Sequence, residues 1–181
     1  MSNFLPDNYE VPQKSGNYFR FIEGENRFRI LSSPIIGWET WIENKDGSRK
    51  PIRKPMDKPF NVDEVDNPED IKHFWAMPIY NYQEEKIQIL EITQKGIQKS
   101  IKALAKDVDW GSPVNYDLVV TREGKELNTK YQVNPKPAKK LDEGILQLYK
   151  DMKIDLTALY RNDDPFSSEK DLVDDAGKAL G

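Results

Sequence analysis

Six cations stand between positions 45 and 58 of this chain: Lys45, Arg49, Lys50, Arg53, Lys54 and Lys58, against Asp46 and Asp57. Arg27 and Arg29 precede them on alternate positions, interleaved with Phe28 and Ile30. Phe74, Trp75, Tyr80 and Tyr82 crowd into nine residues, flanked by Lys72 and Lys86. Lys130 and Tyr131 stand side by side further on. Guanidinium and ammonium groups neutralise phosphates, and flat rings stack on unpaired bases at about 1–3 kcal/mol per base. This is the chemistry of holding a polymer, not of breaking a bond.

Residue types for catalysis are scarce. There is one histidine, His73, and no cysteine, so disulfides, thiolate metal sites and cysteine nucleophiles cannot be built. No Gly-rich phosphate loop is present. Asp63, Glu64, Asp66, Glu69 and Asp70 form a linear acidic run that could be imagined around magnesium. Ligands of that kind normally come from separate elements, and a linear run is read as a solvated loop. The expectation is a binder that is not an enzyme and needs neither cofactor nor metal.

A formal net charge of −4 argues at first against a nucleic-acid partner. Its distribution removes the objection. Residues 162–181 hold six acids (Asp163, Asp164, Glu169, Asp171, Asp174, Asp175) and two bases, which accounts for the whole excess. The remainder is balanced, and a balanced domain with a local basic stripe can take up phosphates.

A sheet must position these side chains. Residues 18–31 (YFRFIEGENRFRIL) end in a half-buried alternation, with Phe28 and Ile30 on one face and Arg27 and Arg29 on the other. Residues 35–43 (IIGWETWIE) make a second strand. There Ile36, Trp38 and Ile42 share a parity, so Trp41 points outward. Residues 44–72, with four prolines, read as a long loop or insertion. Residues 73–82 and 86–92 form a hairpin in which Trp75, Met77 and Ile79 share one face and Phe74, Tyr80 and Tyr82 the other. The tyrosine face is expected outside, because a phenol must satisfy its hydroxyl. A helix follows over 93–107 with Thr93 as its cap. It carries Lys95, Lys99, Lys102 and Lys106 but lacks the side-chain array of a duplex-reading helix. Residues 116–121 and 129–133 pair as a final ribbon, and an amphipathic helix over 141–156 closes the domain.

Strands, one helix, then a two-stranded ribbon is the order of a five-stranded OB barrel with its helix between the third and fourth strands. The fold class is therefore mainly β: an OB fold with an added hairpin or loop insertion and a C-terminal helix. Residues 1–17 are an extended arm, 18–160 the barrel with its closing helix, and 161–181 an acidic flexible tail.

The stretches FRFIEGENRFRILSSPIIGWETW, HFWAMPIYNYQEEKIQILEITQKGIQKSIKAL and VVTREGKELNTKYQVNPKP resemble the single-stranded DNA-binding proteins of tailed bacteriophages. That family is related to helix-destabilising replication proteins, and the similarity covers roughly residues 15–140. It implies single-strand binding in phage DNA replication, recombination and repair, in the cytoplasm of the infected bacterium. It implies a cleft lined by Arg27, Arg29, Trp41, Arg49, Lys50, Arg53, Lys54, Lys72, Phe74, Trp75, Tyr80, Tyr82, Lys86, Lys130 and Tyr131. It also implies an acidic tail that recruits replication or recombination proteins, here through Asp163, Asp164 and Phe166, and competes with DNA. Two features depart from that family. The zinc ligands of some members have no counterpart here, and the 1–17 arm holds only Lys14 against Asp7 and Glu10, which puts cooperative binding in doubt. The alternative is the same barrel used as a protein-interaction or virion component. No stretch approaches the roughly 20 apolar residues of a membrane span.

Overall fold

The computed structural model describes residues 16–166. Its hub is β4 (Lys72–Asn81), a strand with partners along both edges. One edge takes β5 (Lys86–Ile92) over its whole length, from Trp75 opposite Ile92 to Asn81 opposite Lys86. The other edge is shared end to end by β1 (Gly24–Ile30) and β2 (Ile35–Glu43). Ile30 pairs with Ile79 and Ile35 with Ala76, so four residues bulge out where β4 spends only two. Two prolines sit at this seam. Pro78 faces the gap, where its carbonyl accepts from the Leu31 amide at 2.9 Å and no ladder donor is required. Pro34 lies in the bulge itself.

Four further elements complete the frame. β6 (Asp117–Glu123) pairs with β1, and β7 (Lys130–Pro135) pairs with β6. β3 (Arg49–Pro55) pairs with β2 across a tight turn. The helix α1 (Lys95–Lys106) joins β5 to β6 and packs near β7. The sheet is antiparallel throughout and has seven strands. The expected mainly β class is met, and within 44–72, read as a long loop or insertion, residues 49–55 form the edge strand β3. Prolines 51 and 55 are tolerated because β3 is an edge strand.

The core lies on one side of β4. Phe28, Ile30, Met77, Ile79, Leu90, Ile92, Leu118 and Val120 interdigitate there, and Ile97 and Ile101 of α1 plug one end. Each such side chain contributes about 1.5–3 kcal/mol when fully buried. A smaller cluster sits on the other side, where Phe74, Ala76 and Ile89 meet Leu159. Gly37 makes that approach possible, because a Cβ there would strike the Lys54 carbonyl and crowd the Phe74 ring.

The closing element is not the expected helix. α2 (Glu143–Met152), capped by Asp142 through the amides of Gly144 and Ile145, buries none of its residues. Closure comes from the short 3-10 helix Leu156–Arg161, whose Ala158 and Leu159 are buried. Helical spacing at 145, 148, 149 and 152 predicts a helix but not what it packs on. Thr93 does not cap α1 either. The cap is Gln94, whose side-chain oxygen turns back to the Thr93 amide at 3.1 Å. At the other end of the chain, Asn17 and Phe19 exchange 2.8 Å backbone bonds with Ile89 and cover the outer edge of β5. Of the segments expected to be arm and tail, residues 1–15 and 167–181 lie outside the described residues.

Candidate nucleic-acid interface

Asp117 organises the outer face of the sheet. It opens β6 directly opposite Arg29, and its side chain is 1% exposed. Arg29 Nε donates to its Oδ1 at 2.7 Å, Arg27 Nε to its Oδ2 at 3.0 Å, and Tyr82 Oη to its Oδ1 at 2.8 Å. Burial pushes the carboxyl upward, but the bonds from Arg29, Tyr82 and Arg27 together outweigh it and hold Asp117 below its ordinary value. Tyr82 moves the other way. Burial, then its bond to the Asp117 carboxylate, push the phenol up to about 12. It stays a neutral donor throughout the physiological range.

The two arginines of β1 therefore part company. Arg29 is fully buried, with Nη1 on the Val114 carbonyl at 3.2 Å and Nη2 on the Lys139 carbonyl at 2.8 Å. Its donors face protein acceptors, and the expectation that it lines a cleft is corrected. Arg27 keeps 44% of its side chain exposed and stands 5.7 Å over the Tyr82 ring. Tyr80 meets Tyr82 edge-on at 5.1 Å. Tyr80, Tyr82 and Arg27 thus form one preorganised cation–aromatic cluster, half-buried and open on the outer face. Lys130, exposed, projects from the same face of β7, four residues along from Asn134, which is level with Arg27. That is about 13 Å along a strand.

The basic hairpin divides in the same way. Arg53 is buried between two carboxylates, with Nε to Glu39 at 3.0 Å and Nη2 to Glu91 at 2.6 Å. Burial pushes Glu39 up in spite of that guanidinium. Lys54 pairs with Glu64 and lies 4.9 Å over the Phe60 ring. Arg53 is thus not offered to a ligand as expected, whereas Lys54 keeps part of its side chain exposed in a surface pair. Arg49 and Lys50 are exposed near the turn, and Trp41 is 48% exposed on the same face as Arg49. An open cavity of about 380 Å³ between Trp41 and Arg49 is faced by Asp66 and Asp70 of the acidic loop.

Three expected aromatics are held elsewhere. Phe74 is fully buried beneath Leu159 and Tyr160. Trp75 is half-buried on the inner side against the core. Tyr131 also turns inward, edge-on to Phe21 at 5.6 Å. Lys72 is exposed at the start of β4, and Lys86 is half-buried with a partner. Of the tail residues, Asp163 and Asp164 are exposed. Phe166 packs on the Phe74–Leu159 cluster, and the Pro165 carbonyl accepts from the Asp155 amide at 2.9 Å. The Tyr160 hydroxyl donates to the Ile36 carbonyl at 2.7 Å. Chain from 154 to 166 thus crosses the outer face between the Arg27–Tyr82 cluster and the Trp41 hairpin.

Sequence reasoning missed Asp117 and the 154–166 crossing. A strand register would have exposed the first, since Asp117 is opposite Arg29. The apolar spacing of LTALY after Asp155 is the only hint of the second. Among the described residues no group of three or more His, Asp or Glu is placed to hold a metal ion, the acidic run at 63–70 included. No described helix is long and apolar enough to cross a membrane.

The chain is similar to a "Probable ssDNA-binding protein" of Escherichia phage T5. Identity is 25% over 138 residues, covering 64% of this chain and 53% of that protein, so the chain spans about half the length of its relative. No family model and no solved structure matches it.

Proposed function

We propose that this chain binds single-stranded DNA on the outer face of its sheet, as a non-enzymatic OB-type barrel. The observation that carries the reading is the outer-face cluster of exposed Arg27 with half-buried Tyr80 and Tyr82, a stacking platform with a cation fixed against it. The similarity to the phage T5 protein supports the ligand. In this reading β1 and β2 together stand for the first barrel strand, bent at the seam, and β4, β5, β6 and β7 for the other four. α1 then falls between the third and fourth strands, and β3 is the insertion.

The strand runs over Tyr82 and Tyr80 with phosphates on Arg27 and Lys130, and Trp41, Arg49 and Lys50 extend the contact at the hairpin. Lys72 and Lys86 flank this path. Arg29, Arg53 and Phe74 hold the surface in shape without touching DNA. The role is to protect and organise single strands during phage DNA replication, recombination and repair in the infected bacterium. Asp163 and Asp164 begin an acidic tail for replication or recombination proteins, with Phe166 as its anchor on the domain.

Titration with oligo(dT) at two salt concentrations tests the reading. Tight binding that weakens steeply with salt and quenches aromatic fluorescence is expected. Absence of binding at low salt overturns it.

A further inference from the structure

On the inner-facing side of β2, beyond the core, lies an open cavity of about 650 Å³ at the start of α1. Trp38 stands in its wall, and two neighbours hold the indole in place. Its Nε1 donates to the Met56 carbonyl at 3.2 Å, and its ring meets His73 at 5.4 Å. His73 is itself fixed. Its Nδ1 lies 2.8 Å from the Gly37 carbonyl, and its Nε2 accepts from Trp75 Nε1 at 3.3 Å. That pattern assigns the neutral tautomer with the proton on Nδ1. Gln98 ties the helix to β4 and β5, donating to the carbonyls of His73 and Ile92. Lys72, Lys95 and Lys99 line the cavity, and Glu69 is the only acid among its lining residues.

The cavity continues into a row of charge. α1 reads KGIQKSIKALAK, with four lysines and no acid. Spacings of four, three and four place Lys95, Lys99, Lys102 and Lys106 within an arc of about 60°, since a helix turns once per 3.6 residues. All four are exposed, whereas Ile97, Gln98 and Ile101 are buried on another side. None of the four side chains has an ion-pair or hydrogen-bond partner among the described residues. Local rules oppose this arrangement. Like charges one turn apart repel, and Lys95 sits at the positive end of the helix dipole. A sequence that breaks its local rules without compensation marks a functional surface.

We propose that the Trp38 cavity and the α1 lysine row form a second contact surface for single-stranded nucleic acid. A nucleobase enters beside Trp38, and successive phosphates follow the lysines. The ordered indole at the head of the row favours a strand over an acidic protein, which would use the cations but not the ring cavity. The surface takes its ligand class from the reading above but shares none of the cluster residues. Trp38, His73 and Trp75 have one parity about β4, and Tyr80 the other. A strand long enough to engage both surfaces would wrap the domain.

Acetylation footprinting of the full chain tests this, with oligo(dT) of about 30 nucleotides, longer than the ~4–16 that one OB fold covers. Lys95, Lys99 and Lys102 should each lose at least about threefold in reactivity. Their protection supports the second surface whether or not Lys130 is also protected; an unprotected Lys130 would count against the outer face instead. Protection of Lys130 with unchanged α1 lysines overturns the second surface and leaves the first. No protection anywhere overturns both. The variant K95Q/K99Q/K102Q/K106Q keeps helix propensity and removes only exposed charge. It should bind the long oligonucleotide at least about tenfold more weakly at low salt, with a shallower salt slope. An unchanged slope in the folded variant overturns the proposal.

Discussion

Arg27 and Arg29 lie two residues apart on one face of β1, and replacing each by glutamine should give opposite phenotypes. Arg29→Gln removes a buried guanidinium that serves Asp117, Val114 and Lys139. Breaking a buried pair costs about 3–5 kcal/mol, and because Arg27 and Tyr82 remain on Asp117 the lower end applies. For a chain of this size the melting temperature moves about 2–4 °C per kcal/mol, so a fall of roughly 6–12 °C is expected. Arg27→Gln removes the exposed partner of the same carboxylate, worth about 0–1 kcal/mol, and should move melting by less than about 4 °C. DNA binding reverses the order. Losing one phosphate contact weakens binding at low salt and lowers the salt slope by about 0.7, so the deficit against the parent narrows about 2–3-fold between 50 and 200 mM salt. That loss should follow Arg27→Gln, while the folded fraction of Arg29→Gln keeps the parent slope. Thermal melting by circular dichroism and anisotropy titration read the two effects. If Arg29→Gln melts like the parent, or if Arg27→Gln alone unfolds the domain, the assignment of structural and binding roles is wrong.

Acid stability should depend on Asp117. Its folded pKa is depressed, so its contribution is present above the unfolded value of about 3.9 and is lost as pH falls through the folded value. Asp117→Asn should therefore melt lower at pH 7 and show a smaller further loss below about pH 4 than the parent, measured by melting at both pH values. Tyr80→Ala with Tyr82→Ala should weaken oligo(dT) binding by about 2–6 kcal/mol if each ring stacks on one base, checked by titration with melting as a folding control. Removing residues 167–181, which carry four acids and two lysines, should raise DNA affinity at low salt and converge with the parent at high salt. An identical low-salt affinity would exclude competition by that segment.

What was legible in the sequence follows from which forces act locally. The alternation of Phe28 and Ile30 with Arg27 and Arg29 placed β1, and the parity of Trp75, Met77 and Ile79 assigned the inner side of β4. These patterns persist because one side of each strand faces apolar core. β3 was hidden for the converse reason. Its buried position is Arg53, neutralised by Glu39 and Glu91, so no apolar alternation marks it. Charge in sequence could not separate Arg27 from Arg29 or Arg49 from Arg53, because the groups that do so, the Val114 and Lys139 carbonyls on Arg29 and the Glu91 carboxylate on Arg53, come from parts of the chain distant in sequence. Phe74 has the parity of an exposed ring, but the 154–166 segment covers it, a tertiary contact that no local pattern encodes.

Photocrosslinking is the most direct test of binding at the Arg27–Tyr80–Tyr82 cluster. A single strand carrying 5-iodouracil, bound at low salt and irradiated, should link to the peptide containing Tyr80 and Tyr82, with yield that falls as salt rises. A strand that binds but links only to peptides remote from that cluster, or that does not bind at all, would contradict the account.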